Sequence, residues 1–255
     1  MNSDRTQAPQ KSADGKENVL ALNEIYPSLQ GEGANCGMPV VFLRTFGCNL
    51  QCGFCDTPYT WEPRVVQDSD RKMYTAKEAV EEITSLPNHS HWVITGGEPM
   101  LQQLTLVALI RYYQEVTEVV PFIEWETNGT ILPSEDTDSV TDKYNVSVKL
   151  KNSMCSGKSY NTPERRIIPP VIEFFAKNPK ADFKFVIAKE ADLQEAESLI
   201  RRFEINRTHV VFMPEGKTAE EIKIKSAKIF NYCVAKGYRF STRLHVAIFG
   251  MKRGI

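Results

Sequence analysis

No apolar run in this chain approaches the length of a membrane-spanning helix. The net charge is −1, so there is no basic excess to serve as a footprint for nucleic acid or an anionic membrane. The first residues lack the apolar stretch of a secretory signal. Six cysteines in 255 residues are too few for a disulfide framework. These absences lead to the expectation of a cytoplasmic, reducing setting without membrane or nucleic-acid partners. What remains is an ordinary globular composition, 42% hydrophobic and 25% charged, in a chain long enough for one full core. The polar stretch 1–18 reads as a disordered tail, and 19–255 as a single domain.

Short runs rich in Val, Ile, Phe and Thr read as strands. They are Ala21–Tyr26, Val40–Phe46, His91–Thr95, Phe122–Thr127, Asn145–Leu150, Phe183–Ala188 and His209–Met213, with Arg239–Val246 a further candidate. Helical patterns lie between them. One begins with the capping pair Thr75 and Glu78, and another spans Leu101–Val116. A third starts at Thr162-Pro163-Glu164, a fourth covers Glu190–Phe203, and the last runs from Thr218 to Lys236 before Gly237. Strands alternating with helices predict a parallel sheet wrapped by helices, an open sheet or a partial barrel. In either, functional residues gather where strands end.

Cys48, Cys52 and Cys55 share one loop with C-x3-C-x2-C spacing, just after a predicted strand. Three thiolates can hold three irons of a four-iron, four-sulfur cluster and leave the fourth iron open to a small molecule. The competing reading is structural zinc, which normally takes four ligands. The nearest further thiol is Cys36, and the loop carries no histidine. Thr95-Gly96-Gly97-Glu98-Pro99 ends another strand. Its glycines let backbone approach a ligand, and Glu98 could accept from an ammonium group. Trp92 and Trp125 read as core, His89 and His91 as surface, and Trp61 as either.

The cysteine loop with Phe54 before its last thiol, the Gly96-Gly97-Glu98-Pro99 turn and Glu126-Thr127-Asn128-Gly129, in this order, resemble the radical S-adenosylmethionine enzymes. That family implies an α/β fold, a partial TIM-like β/α barrel. A narrower likeness rests on Ser28-Leu29-Gln30-Gly31-Glu32-Gly33, Phe42-Leu43-Arg44, Cys55-Asp56-Thr57 and the closing Leu244-His245 and Lys252–Ile255. Together they resemble the 7-carboxy-7-deazaguanine synthases, radical-dependent lyases that contract a pterin ring in queuosine and deazapurine biosynthesis.

The resemblance implies a 4Fe-4S cluster on Cys48, Cys52 and Cys55, S-adenosylmethionine and magnesium, the last at Thr57. It places Phe54, Cys55, Asp56, Gly97, Glu98, Ser147, Val148, Lys149, Met213, Pro214, Glu215 and Gly216 around the adenosylmethionine. Val148 departs from the family's Ser-Pro-Lys. Leu29, Gln30, Gly31, Glu32, Arg44, Thr95, His245 and Ile255 would face the pterin substrate. Arg44 supplies a forked cation for its carboxylate. A homodimer and an electron donor such as flavodoxin or ferredoxin are implied too. The alternatives are a glycyl-radical activase with the same cluster chemistry and a non-enzymatic zinc-stabilised module.

Overall fold

The computed structural model describes residues 19–154 and 160–255. The predicted polar tail and Cys155 lie outside them. Strands β1 (Leu20–Leu29), β2 (Pro39–Thr45) and β3 (Lys72–Tyr74) precede α1 (Ala76–Thr84), β4 (His91–Gly96) and α2 (Gln103–Thr117). Then come β5 (Phe122–Thr127), α3 (Glu135–Ser139), β6 (Lys143–Val146), α4 (Pro163–Arg166), α5 (Pro169–Lys177) and β7 (Ala181–Ile187). The chain continues through α6 (Glu190–Arg202), β8 (Val210–Pro214), α7 (Ala219–Lys236), β9 (Arg239–Phe240) and α8 (Leu244–Phe249). The strands form one sheet in the order β3-β1-β2-β4-β5-β6-β7-β8-β9. From β2 onward neighbours are parallel, whereas β1 runs antiparallel to β2 and β3. β3 and β9 are its two edges, so this is an open, partial β/α barrel.

Strand periodicity gives the sheet two unlike faces. Trp92, Ile94, Ile123, Trp125, Tyr144, Phe183, Phe185 and Phe212 point outward and join one core with helix residues such as Leu109, Ile172 and Leu199. Trp92 and Trp125 are fully buried there. Burying a large apolar side chain of this kind contributes about 1.5–3 kcal/mol. The intervening residues point inward and are mostly polar: Arg44, Thr95, Glu124, Glu126, Asn145 and Lys184. A register shift between Leu22 and Glu24 bulges β1. It leaves Leu20 and Leu22 in the outer core while Glu24 reaches Arg44 on the inner side, at 2.7 Å.

Several expectations change. Arg239–Val246 is not one strand: β9 ends after two residues, and α8 follows. Arg243 is drawn inward by buried carboxylates, and Leu244 N–H donates to Gly31 C=O at 2.9 Å, which turns the chain off the sheet. The strand expected over Asn145–Leu150 ends at Val146. The helix from Pro163 stops after one turn, because Pro169 and Pro170 cannot continue its hydrogen-bond ladder; Pro169 instead opens α5. Thr75 and Glu78 cap α1 reciprocally, at 3.2 and 2.8 Å. At α7 only Thr218 does so; the Glu221 carboxylate accepts from Lys217 N–H at 2.7 Å. His89 and His91 are not free surface groups: His89 bonds the Tyr113 hydroxyl at 2.6 Å, and His91 lies 3.4 Å from Glu124. Among the described residues no helix is long and apolar enough to cross a membrane.

Candidate active site

The cysteine loop leaves the C-terminal end of β2 and is gripped from three sides. Gly97 N–H donates to Thr45 C=O at 3.1 Å and Glu98 N–H to Gly47 C=O at 2.8 Å, which tie the β4 turn to the loop's root. Asn161, fully buried, accepts from Gln51 N–H at 2.8 Å and donates to Cys52 Sγ at 3.3 Å. Trp61 Nε1–H donates to Cys55 Sγ at 3.3 Å, and Leu50 N–H to Cys48 Sγ at 3.5 Å. Trp61, read as either core or site, therefore belongs to the loop.

The glycines line the cavity and also have a second task. A Cβ on Gly97 would sit 2.0 Å from Gly47 O, and one on Gly96, at φ +138°, would sit 2.3 Å from Thr45 O. They allow backbone to meet backbone beneath the cysteine loop. Gly97→Ala is therefore expected to push the loop off its support, destabilising the fold by about 1–3 kcal/mol. Denaturant midpoint and iron loading should fall together; a variant with wild-type values in both would contradict this packing. Glu98 is also reassigned. It is wholly buried, and its carboxylate accepts from Met100 N–H (3.1 Å), Thr127 Oγ1–H (2.7 Å) and Asn128 N–H (2.7 Å). Those bonds staple the ends of β4 and β5, and burial pushes the carboxyl above its ordinary range. It does not line the cavity, whereas the expected ammonium acceptor would.

That cavity, about 410 Å³, opens over the C-terminal ends of the strands, with Cys48, Cys52 and Cys55 in its wall. Among the described residues no three His, Cys, Asp or Glu side chains converge on a single ion. Burial pushes the Cys48 thiol up to about 12, so a metal must displace its proton on binding. Phe54, Asp56, Gly97, Ser147, Lys149, Met213, Glu215 and Gly216 line the same space. Lys149 Nζ donates to Ser147 Oγ at 2.8 Å. Val148 and Pro214 do not line it. Val148 packs into the outer core, so the departure from the motif falls on the opposite side of the chain. Thr57 also lines the cavity, its hydroxyl 3.8 Å from Cys55 Sγ.

The floor comes from the segment between β1 and β2, which folds into the barrel's interior. Gln30 Nε2–H donates to Glu124 Oε1 at 2.7 Å, Asn145 Nδ2–H also donates to Oε1, and Asn35 Nδ2–H donates to Oε2 at 2.6 Å. Burial would raise the Glu124 carboxyl, but the hydrogen bonds from His91, Asn35 and Gln30 hold it below its ordinary range. Leu29, Gln30, Gly31, Glu32, Arg44, Thr95, His245 and Ile255 all line the cavity, as does the closing segment 250–255. Their polar groups are already organised by neighbours. Arg44 donates to Glu24 and to the Tyr26 hydroxyl, at 2.7 and 2.6 Å. Gln30 Oε1 accepts from Glu32 N–H at 3.2 Å. A Cβ on Gly31 would meet His245 Nδ1 at 2.3 Å, so glycine there lets the ring lie against the backbone. Burial lowers the His245 imidazole below 6.5. Arg253 covers the Tyr59 ring at 3.3 Å and pairs with Asp70 at 3.0 Å, pinning the last residues across the opening.

Lys184 and Arg243 have no place in the sequence-derived site, and Glu126 entered it only as part of the Glu126–Gly129 motif without a role, yet all three line the cavity. Lys184 Nζ lies 2.5 Å from Glu32 and 3.7 Å from Glu126. Arg243 donates to Glu32 at 2.9 Å, to Gly216 C=O at 2.7 Å, and to Asp56. Burial would raise the Glu32 carboxyl, but Lys184 and Arg243 hold it well below its usual range. Glu126 accepts from Thr95 Oγ1–H at 3.2 Å. The available signal was polar residues alternating with aromatics, as in Glu124-Trp125-Glu126 and Asp182-Phe183-Lys184-Phe185.

Residues 42–147 match the radical SAM superfamily. A 7-carboxy-7-deazaguanine synthase of Pyrobaculum aerophilum is 33% identical, over 91% of this chain and 95% of the relative. Its counterpart from Halobacterium salinarum is 34% identical, over 94% of each chain. The crystal structure of QueE from Escherichia coli superposes with a TM-score of 0.66 at 20% identity, over 89% of this chain and 95% of that one. That last likeness concerns the fold.

Proposed function

The chain belongs to the family of 7-carboxy-7-deazaguanine synthases, radical S-adenosylmethionine enzymes, and on that premise we propose that it contracts 6-carboxy-5,6,7,8-tetrahydropterin to 7-carboxy-7-deazaguanine with loss of ammonia. The observation that carries the reading is a polar, charge-organised floor inside the same cavity as the three loop thiols. A glycyl-radical activase would need a surface for a partner protein; a buried floor of Gln30, Glu32, Glu126 and Lys184 suits a small polar molecule instead.

Cys48, Cys52 and Cys55 hold the cluster. When bound, cluster and S-adenosylmethionine supply a hydrogen-abstracting adenosyl radical, and the adenosylmethionine is regenerated. Ser147, Lys149 and the backbone near Gly97 and Gly216 orient the cofactor. Arg44 faces the substrate carboxylate, and Glu32 and Glu126 accept from the pterin's donor edge. The segment 250–255 covers the site and excludes water. Thr57 would offer its hydroxyl to magnesium, which takes oxygen ligands. The functional unit is a homodimer reduced by flavodoxin or ferredoxin in the cytoplasm.

The test is anaerobic incubation of the reconstituted protein with reductant, S-adenosylmethionine, magnesium and 6-carboxytetrahydropterin. The deazaguanine acid is the expected product. Cleavage of adenosylmethionine without that acid would leave the superfamily standing and sink the substrate.

A further inference from the structure

Arg243 sits where three elements of the cavity meet. Its Nε–H reaches Glu32 on the floor, its Nη1–H reaches the Gly216 carbonyl just past β8, and its Nη2–H reaches Asp56 next to Cys55. The side chain is buried, with a relative exposure of 8%. β2 carries the floor at its start and the cysteine loop at its end, and Arg243 adds a second, side-chain link between them. A guanidinium is suited to this, because its planar fork fixes several donors in one frame. Lysine offers one flexible point charge and cannot reproduce three directions.

We propose that Arg243 is a positioning residue that sets the distance between the substrate floor and the cofactor wall. The proposal rests on the function just given. Hydrogen transfer between two bound molecules tolerates little displacement; a shift of about 1 Å can cost a hundredfold. Arg243 acts through Glu32 and Asp56. Its loss lets the two walls drift, so adenosylmethionine is cleaved without a hydrogen taken from substrate. Lys184 also grips Glu32, which keeps the floor assembled when Arg243 is changed.

The experiment compares wild type, Arg243→Lys and Arg243→Gln as cluster-loaded holoenzymes, with substrate present. The readout is the ratio of released 5′-deoxyadenosine to deazaguanine acid, beside iron content and unfolding midpoint. Both variants are expected to raise that ratio about tenfold or more, the glutamine variant further. If Arg243→Gln does not fold, Arg243→Lys carries the test alone. A merely structural role would lower both products together and leave the ratio unchanged, which overturns the proposal. Wild type that forms no acid overturns the functional reading and this proposal with it. Wild type that forms acid, beside variants with its ratio, overturns this proposal alone.

Discussion

Cys52→Ala is expected to abolish both adenosylmethionine cleavage and formation of the deazaguanine acid. The loop supplies three thiols, and none is redundant: a four-iron cluster left with two protein ligands loses its anchorage as well as its single open iron. Cys52 is also one of the groups toward which the fully buried Asn161 amide donates, beside the Ser153 carbonyl and hydroxyl, so the alanine removes one contact of that amide. Iron and sulfide content should fall with activity, and the brown colour of the anaerobic protein should fade. Cys36, exposed and away from the loop, provides the control: Cys36→Ala should keep its iron. A Cys52→Ala protein that retained iron and cleaved adenosylmethionine would remove the loop from the mechanism.

The second large effect is on stability. Lys184→Met would leave Glu32 and Glu126 facing each other in a buried site with one cation withdrawn. Stranding one partner of a buried ion pair typically costs about 3–5 kcal/mol, and because Glu32 keeps Arg243 at 2.9 Å the loss here is expected toward the lower end of that range. The pH dependence gives the signature. Lys184 and Arg243 hold the folded Glu32 carboxyl below its ordinary 4.5. In the wild type its contribution is therefore complete above 4.5 and lost as pH falls through the depressed folded value. In Lys184→Met the penalty comes from the ionised Glu32 carboxylate, so the deficit should be full at neutral pH and narrow as pH falls through that range. Denaturant midpoints of both proteins at a series of pH values measure this. A deficit independent of pH would mean that the lysine's methylenes, rather than its charge, hold the site.

Local features of this site were legible in the sequence, and long-range ones were not. The cysteine spacing, Arg44 and the glycine turn each announce themselves within a few residues. Even so, Glu98 was misread, because a carboxylate after two glycines looks the same whether it faces a ligand or staples two strands. Lys184 and Arg243 sit far along the chain from Glu32 and gain meaning only once β7 and the β9–α8 connection are brought beside it. Alternation in Asp182-Phe183-Lys184-Phe185 marks Lys184 as facing away from the aromatic core, but which parity faces inward depends on the sheet's curvature, and Arg243 carries no such pattern. β3 escaped notice because three residues carry too little pattern, and its place is fixed by pairing with β1.

The two-faced sheet has a consequence for how such a protein can change over generations. Residues of one parity hold the outer core, where a methylene more or less shifts stability gradually. Residues of the other parity form a balanced lattice in which Glu32 answers to both Lys184 and Arg243, and Glu124 to three amides. A single replacement there unbalances charges that several neighbours share, so drift toward a new substrate is expected to proceed by paired exchanges. The outer face can wander while the inner one stays nearly still.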